Sequence, residues 1–181
     1  MGLNSKSTAN KLWKEYKNII EGKMPPEKDF IDILNKVLDE DFQKGTLSFK
    51  NVDITGAAKS LKIPKADGTS AMTVLIGLEI SKYWAKTIAL SGTPQNTCTL
   101  TPSVIISVVN NSAMLAPAIT AELSTLITAY AETPKDEVYF KKFIDIIYNN
   151  VKKLKWVVSE MGTNPGSPSV PCPSSFTVSI S

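Results

Sequence analysis

Ser70-Ala-Met-Thr-Val-Leu-Ile-Gly-Leu-Glu-Ile-Ser-Lys-Tyr-Trp-Ala-Lys-Thr-Ile-Ala-Leu90 is the stretch whose reading decides the fold. Gly68, Thr69 and Ser70 offer turn and N-cap chemistry, because a hydroxyl there can accept from the free N–H groups of a first helical turn. Met72, Ile76, Ile80, Trp84 and Ile88 recur four apart and fall along one side of a helix, with Tyr83 beside them. Leu75 and Leu78 make the first half apolar on other sides as well, whereas Glu79, Lys82 and Lys86 form a polar stripe in the second half. That pattern predicts a core helix that emerges towards the surface. Gly92 and Pro94 then stop it.

Working outward, the flanking sequence is helical on both sides. Residues 6–21 predict a first helix with Leu12, Tyr16, Ile19 and Ile20 on one face and Trp13 flanking them. Pro25-Pro26-Glu27 suits the opening of a second helix to about Asp39, with Phe30, Ile33, Leu34, Val37 and Leu38 inward. Between Leu47 and Ile54 the alternation hints at extended chain, and residues 55–61 suit one or two helical turns. Val104–Val109 is β-branched but short, so strand and helix both remain open there. From Pro117 the pattern turns helical again, through Ile119, Leu123, Leu126, Ile127 and Tyr130. Thr133-Pro134-Lys135-Asp136 then opens a helix predicted to run to about Met161, with Phe140, Phe143, Ile144, Ile147, Val151, Leu154 and Val158 on one face.

The expected fold class is therefore mainly α: a single-domain helical bundle with short extended segments and a C-terminal arm. The helical domain takes residues 1–161 and the Pro/Ser-rich arm residues 162–181. After Glu160 no charge appears, and prolines stand at 165, 168, 171 and 173. Val170, Phe176, Val178 and Ile180 are too few apolar side chains to order about twenty residues at roughly 1–2 kcal/mol each. Their spacing suits one face of an added strand, so they are the candidate partner-binding residues of the arm.

Composition narrows the function. With 43% apolar and 20% charged residues, the 181-residue chain is globular rather than disordered. A net charge of +3 does not call for nucleic acid. There is no histidine, which removes Ser-His and Cys-His nucleophile pairs and the usual zinc sets. No Gly-rich phosphate loop is present, no cofactor is implied and no enzyme activity is expected. Cys98 and Cys172 are far apart and read as two unbridged thiols. Asp39-Glu40-Asp41 reads as a solvated acidic helix end, because neighbouring helical residues point different ways. Lys152, Lys153 and Lys155 beside Trp156 form a basic cluster that could meet an anionic partner, or simply complement the negative end of a helix. The uncharged run 87–121 is broken by Pro102, Asn110, Asn111 and Pro117, which argues against a membrane span. An apolar hairpin of residues 71–127 remains the alternative, as a membrane-active helical protein.

Three stretches carry a resemblance. Ile76-Gly-Leu-Glu-Ile-Ser-Lys-Tyr-Trp-Ala85, Val108-Val-Asn-Asn-Ser-Ala-Met-Leu115 and Phe140-Lys-Lys-Phe-Ile-Asp-Ile-Ile-Tyr148 together resemble small virion structural proteins of tailed bacteriophages, of the tail, neck or baseplate type. The resemblance implies a non-enzymatic subunit of a multi-copy assembly. Its partners would be further copies of itself or other virion proteins, with assembly in the host cytoplasm. It assigns no catalytic, metal or ligand residues.

Overall fold

The computed structural model describes residues 3–23, 29–44, 47–49, 52–55, 60–85, 89–92, 104–164 and 166–179. Five helices dominate: α1 (Ser5–Ile20), α2 (Phe30–Phe42), α3 (Thr69–Ala85), α4 (Leu115–Ala129) and α5 (Glu137–Val151). Two antiparallel three-stranded sheets accompany them. One has the order β1 (Leu47–Phe49), β2 (Val52–Thr55), β3 (Ala89–Gly92); the other β4 (Val104–Asn110), β5 (Lys155–Asn164), β6 (Ser167–Ser179). The mainly helical class holds, and the open choice at residues 104–109 falls to strand.

Local chemistry sets the helix ends. Asn4 caps α1 by accepting from the Ser7 N–H at 3.0 Å. Asp29 and Asp32 form a reciprocal capping box at α2. That cap places the helix start after the proline pair, and residues 24–28 themselves lie outside the described set. At α5 the cap is Asp136, which accepts from the Tyr139 N–H at 2.9 Å, and not Thr133. A carboxylate at the N-cap also meets the positive end of the helix dipole, which favours it over the hydroxyl three residues earlier.

The core is continuous across the helices. Leu12, Leu34, Leu38, Ile76, Ile80, Ile119, Leu123, Phe143, Ile144, Ile147 and Val151 are all fully buried. α1 and α4 flank α5, and α3 does not run along it. Instead α3 pairs closely with α4. Gly77 makes this approach possible: a Cβ there would meet the Ala116 carbonyl oxygen at 2.6 Å and Thr120 Oγ1 at 2.8 Å. Small hydroxyls line the same seam, with Thr73 Oγ1 and Ser124 Oγ 3.2 Å apart and the Ser81 hydroxyl donating to the Ser112 carbonyl at 2.8 Å.

Three elements depart from expectation. The core helix ends at Ala85, and Ala89–Gly92 pairs with β2 instead, Leu90 opposite Ile54. Its apolar circumference is also not all buried, since Val74 and Leu78 remain exposed, as does Ile20 on α1. The last helix stops at Val151 rather than near Met161, and β5 begins at Lys155. Asn149, Asn150 and the two lysines are weak or solvent-seeking at a helix end, while Trp156-Val157-Val158 favours extended chain. Leu154 and Trp156 are both buried, so the apolar period passes from helical to alternating at this point. Residues 55–61, read as short helical turns, are extended at Thr55, lie outside the described set at 56–59, and are not helical at 60–61.

Candidate functional site

The residues singled out for contact with partners converge on the β4–β5–β6 sheet. The handover from α5 to β5 begins it. Lys152, Lys153 and Leu154 donate their backbone N–H groups to Tyr148, Asn150 and Val151 carbonyls, closing the helix in tight turns. The Lys155 N–H then donates to Asn111 Oδ1 at 2.9 Å, tying the start of β5 to the end of β4. Asn110 completes the joint, its side-chain amide donating to the Trp84 carbonyl at 2.6 Å and its Oδ1 accepting from the Ser112 N–H at 3.1 Å. Two asparagines thus join the C-terminal end of α3, β4 and β5. Their amides can bond locally to backbone, and only that general property hints at the role in sequence.

β6 runs antiparallel to β5 from Lys155↔Ser179 to Gly162↔Cys172 and on to Thr163↔Pro171. The arm expected to need a neighbour for its backbone therefore pairs with its own chain. Two of its candidate contacts take defined register positions, Phe176 opposite Val158 and Val178 opposite Trp156. Val170 belongs to β6 near the register shift at Thr163/Asn164, and Ile180 lies outside the described residues. Cys172 is disulfide-bonded, which overturns the reading of two free thiols. Cys98, the chain's other cysteine, lies outside the described residues.

Burial along β5 distinguishes the two faces of this sheet. Trp156 and Gly162 are buried on the inner face, while Lys155, Val157 and Met161 are exposed on the outer one. Register places Val109 against Val157, Ser107 against Ser159 and Val104 against Met161. β6 continues these rows with Thr177, Ser175 and Pro173. Val109 is 63% exposed and Val157 44%, an apolar cross-strand pair open to solvent. Among the described side chains, Lys155 at the edge is the only charge on this face.

The basic cluster is brought to the same end of the sheet. Lys152, Lys153 and Lys155 are all exposed, and Lys153 Nζ donates to Asn150 Oδ1 at 3.3 Å. Lys152 and Lys153 follow the last turn of α5, where cations offset the negative helix end. Lys155 faces Ser179, so the cluster and the end of the arm are adjacent.

The acidic run separates into three unrelated roles rather than a solvated end. Asp39 Oδ1 accepts from the Leu61 N–H at 2.8 Å, and Glu40 pairs with Lys11 at 3.4 Å. Asp41 is buried, accepting from the Asn4 N–H at 3.0 Å and from the Tyr148 hydroxyl at 2.6 Å. Tyr148 lies 2.9 Å from Thr8 Oγ1. Burial first, then the hydrogen bond to Asp41, pushes the Tyr148 phenol far above its ordinary range. This network fastens α1 and α2 to α5 and was not legible in the sequence. No group of three or more acidic or cysteine side chains suited to a metal occurs among the described residues.

Comparison with known proteins gives no match: no family model, curated protein or solved structure is similar to this chain.

Proposed function

We propose that the protein is a structural subunit of a multi-copy assembly, of the kind found in the tail, neck or baseplate of a bacteriophage virion, and not an enzyme. The observation that carries this reading is the outer face of the β4–β5–β6 sheet. It presents Val109, Val157 and Met161 to solvent, with serine and threonine between them and one lysine at its end. Apolar patches bounded by small polar residues are what protein interfaces are built from. β4 is an edge of this sheet, so a neighbour can add to it as well as cover it. The partners are other copies of the chain or other virion proteins, and Lys152, Lys153 and Lys155 stand beside this face. Phe176 and Val178 of the arm share register rows with Val158 and the buried Trp156 on the opposite face, so the arm contributes Pro173, Ser175 and Thr177 instead. A disulfide at Cys172 suits a particle that leaves the reducing host cytoplasm after assembly there.

The test is paired charge substitution at the cross-strand pair, Val109→Lys with Val157→Glu. Opposite charges keep the sheet paired while making burial of this face costly. Native mass spectrometry should give a defined oligomer for the unmodified protein and monomer for the double variant. An unmodified protein that stays monomeric at tens of micromolar concentration refutes the reading.

A second reading, a membrane-active apolar hairpin of residues 71–127, draws on one observation. Ser112–Ala129 is long and apolar enough to cross a membrane, and only 28% of it is buried. Val74, Leu78 and Met114 add exposed apolar surface on the same helical pair. Flotation with anionic lipid vesicles separates the two readings: co-flotation favours the hairpin, and protein left at the bottom removes it.

A further inference from the structure

Side chains from the helices also line an open pocket of about 230 Å³ that the assembly reading does not use. Its walls are apolar and largely aromatic: Tyr16 from α1, Phe30 from α2, Met72 from α3, Ile127 from α4 and Phe140 from α5. Ring contacts hold these walls in place, with Tyr16 and Phe140 centroids 4.7 Å apart and Phe30 and Phe140 6.1 Å apart. At interior packing density that volume holds roughly ten non-hydrogen atoms.

Its polar groups have no evident protein task. Lys135 lines the pocket from the loop before α5 and makes no ion pair or hydrogen bond among the described residues. Three nearby acids are otherwise engaged. Asp136 caps α5 through the Tyr139 N–H, while Asp29 and Asp32 hold Lys65 at 3.0 and 2.9 Å. Tyr139 is only 5% exposed and lines the pocket; its hydroxyl makes no hydrogen bond to a described residue and is not sealed from solvent, so it is open to a ligand that enters there. Burial and the nearby Tyr16 push Tyr139 up to about 12, so it stays protonated and able to donate. Thr69, the first residue of α3, brings the positive end of that helix to the same opening.

From this arrangement we infer that the five-helix pocket binds a small amphipathic monocarboxylate, its apolar body among Phe30, Met72, Ile127 and Phe140 and its carboxylate on Lys135 and the Tyr139 hydroxyl. A cation and a neutral donor suit an anionic oxygen acceptor, and an apolar chain of about seven carbons fills the remainder. A cationic or dianionic ligand would leave charge unpaired against aromatic walls.

Octanoate is the probe, titrated into the full chain and followed by saturation-transfer NMR and by thermal shift. Binding should occur with a Kd of about 0.1–1 mM, as expected for so few atoms. Octanamide, of the same size but uncharged, should bind at least about tenfold more weakly, and octylamine should not compete. Lys135→Met should lose about tenfold in octanoate affinity and Tyr139→Phe about threefold, with Lys152→Met unchanged. Lys135 sits in a loop without partners, so its variant should melt with the parent protein. No binding at 10 mM octanoate, equal affinity for acid and amide, or an unaltered Lys135→Met would each overturn the assignment.

Discussion

Replacing Gly77 by alanine tests the central packing of the fold, because two effects of opposite sign compete at that position. Inside an exposed helix the change stabilises by about 1 kcal/mol, through the lower backbone entropy of alanine in the unfolded chain. Here the new methyl would stand 2.6 Å from the Ala116 carbonyl oxygen, 2.8 Å from Thr120 Oγ1 and 3.3 Å from Ala116 Cα. Ordinary contact begins near 3.4 Å, and two of these three atoms are backbone, so rotating a side chain cannot relieve the clash. The two helices must separate along their whole seam, which puts the penalty at the upper end of the about 1–3 kcal/mol typical of overpacking. The net expectation is a loss of about 2 kcal/mol, or about 4–8 °C in melting temperature for a chain of this length. Thermal unfolding by circular dichroism measures it. Adding Thr120→Ala should recover only part of the loss, since the carbonyl contact remains. A Gly77→Ala variant that melts higher than the parent would show that α3 and α4 are not in close contact at this point.

Other expectations follow from the same core. Ile147→Ala removes a fully buried side chain from α5 and should cost about 2–5 kcal/mol in chemical denaturation. Tyr148→Phe strips Asp41 of its shortest hydrogen bond and should cost about 1–3 kcal/mol, most of it cancelled when Asp41→Asn is already present, as a double-mutant cycle would show. Alkali should unfold the protein steeply. Burial raises Tyr83 and Tyr139 to about 12 from 10.0, so between those values the unfolded chain holds fewer protons than the folded one. Stability present below pH 10 is then lost as pH rises through 12, and tyrosinate absorbance should follow the loss of helical signal. Hydroxyls that titrate freely while the helices persist would contradict the burial of these rings.

Much of the fold was legible because single apolar stripes decide helices. Leu12, Ile33, Leu34, Leu38, Ile76, Ile80, Phe143 and Ile147 are all buried where periodicity puts them. Legibility failed where one stripe served two conformations. The spacing from Phe140 to Leu154 continues helically into Trp156-Val157-Val158, and the local preference of these three residues for extended chain outweighs that spacing only once β4 and β6 supply partners. The end of α3 was misread similarly, because pairing of Ala89–Gly92 with β2 depends on residues more than thirty positions away. For the candidate sites, composition marked out the arm and the basic cluster, but not the pairing of the arm with its own β5. The outer sheet face and the pocket were not legible, since both are assembled from elements whose adjacency is tertiary.

The Thr8–Asp41–Tyr148 network has a consequence for synthesis. Thr8 and Tyr148 are separated by 140 positions, and α1 lies against α5 across most of the chain. At about 5–20 residues per second, α1 leaves the ribosome roughly 7–30 s before its partner does. During that interval Trp13 and Tyr16 lack the Phe140 ring that later stacks on them. The nascent chain therefore waits with an open aromatic seam, in company that a holding chaperone would recognise, and closes only when its last third arrives.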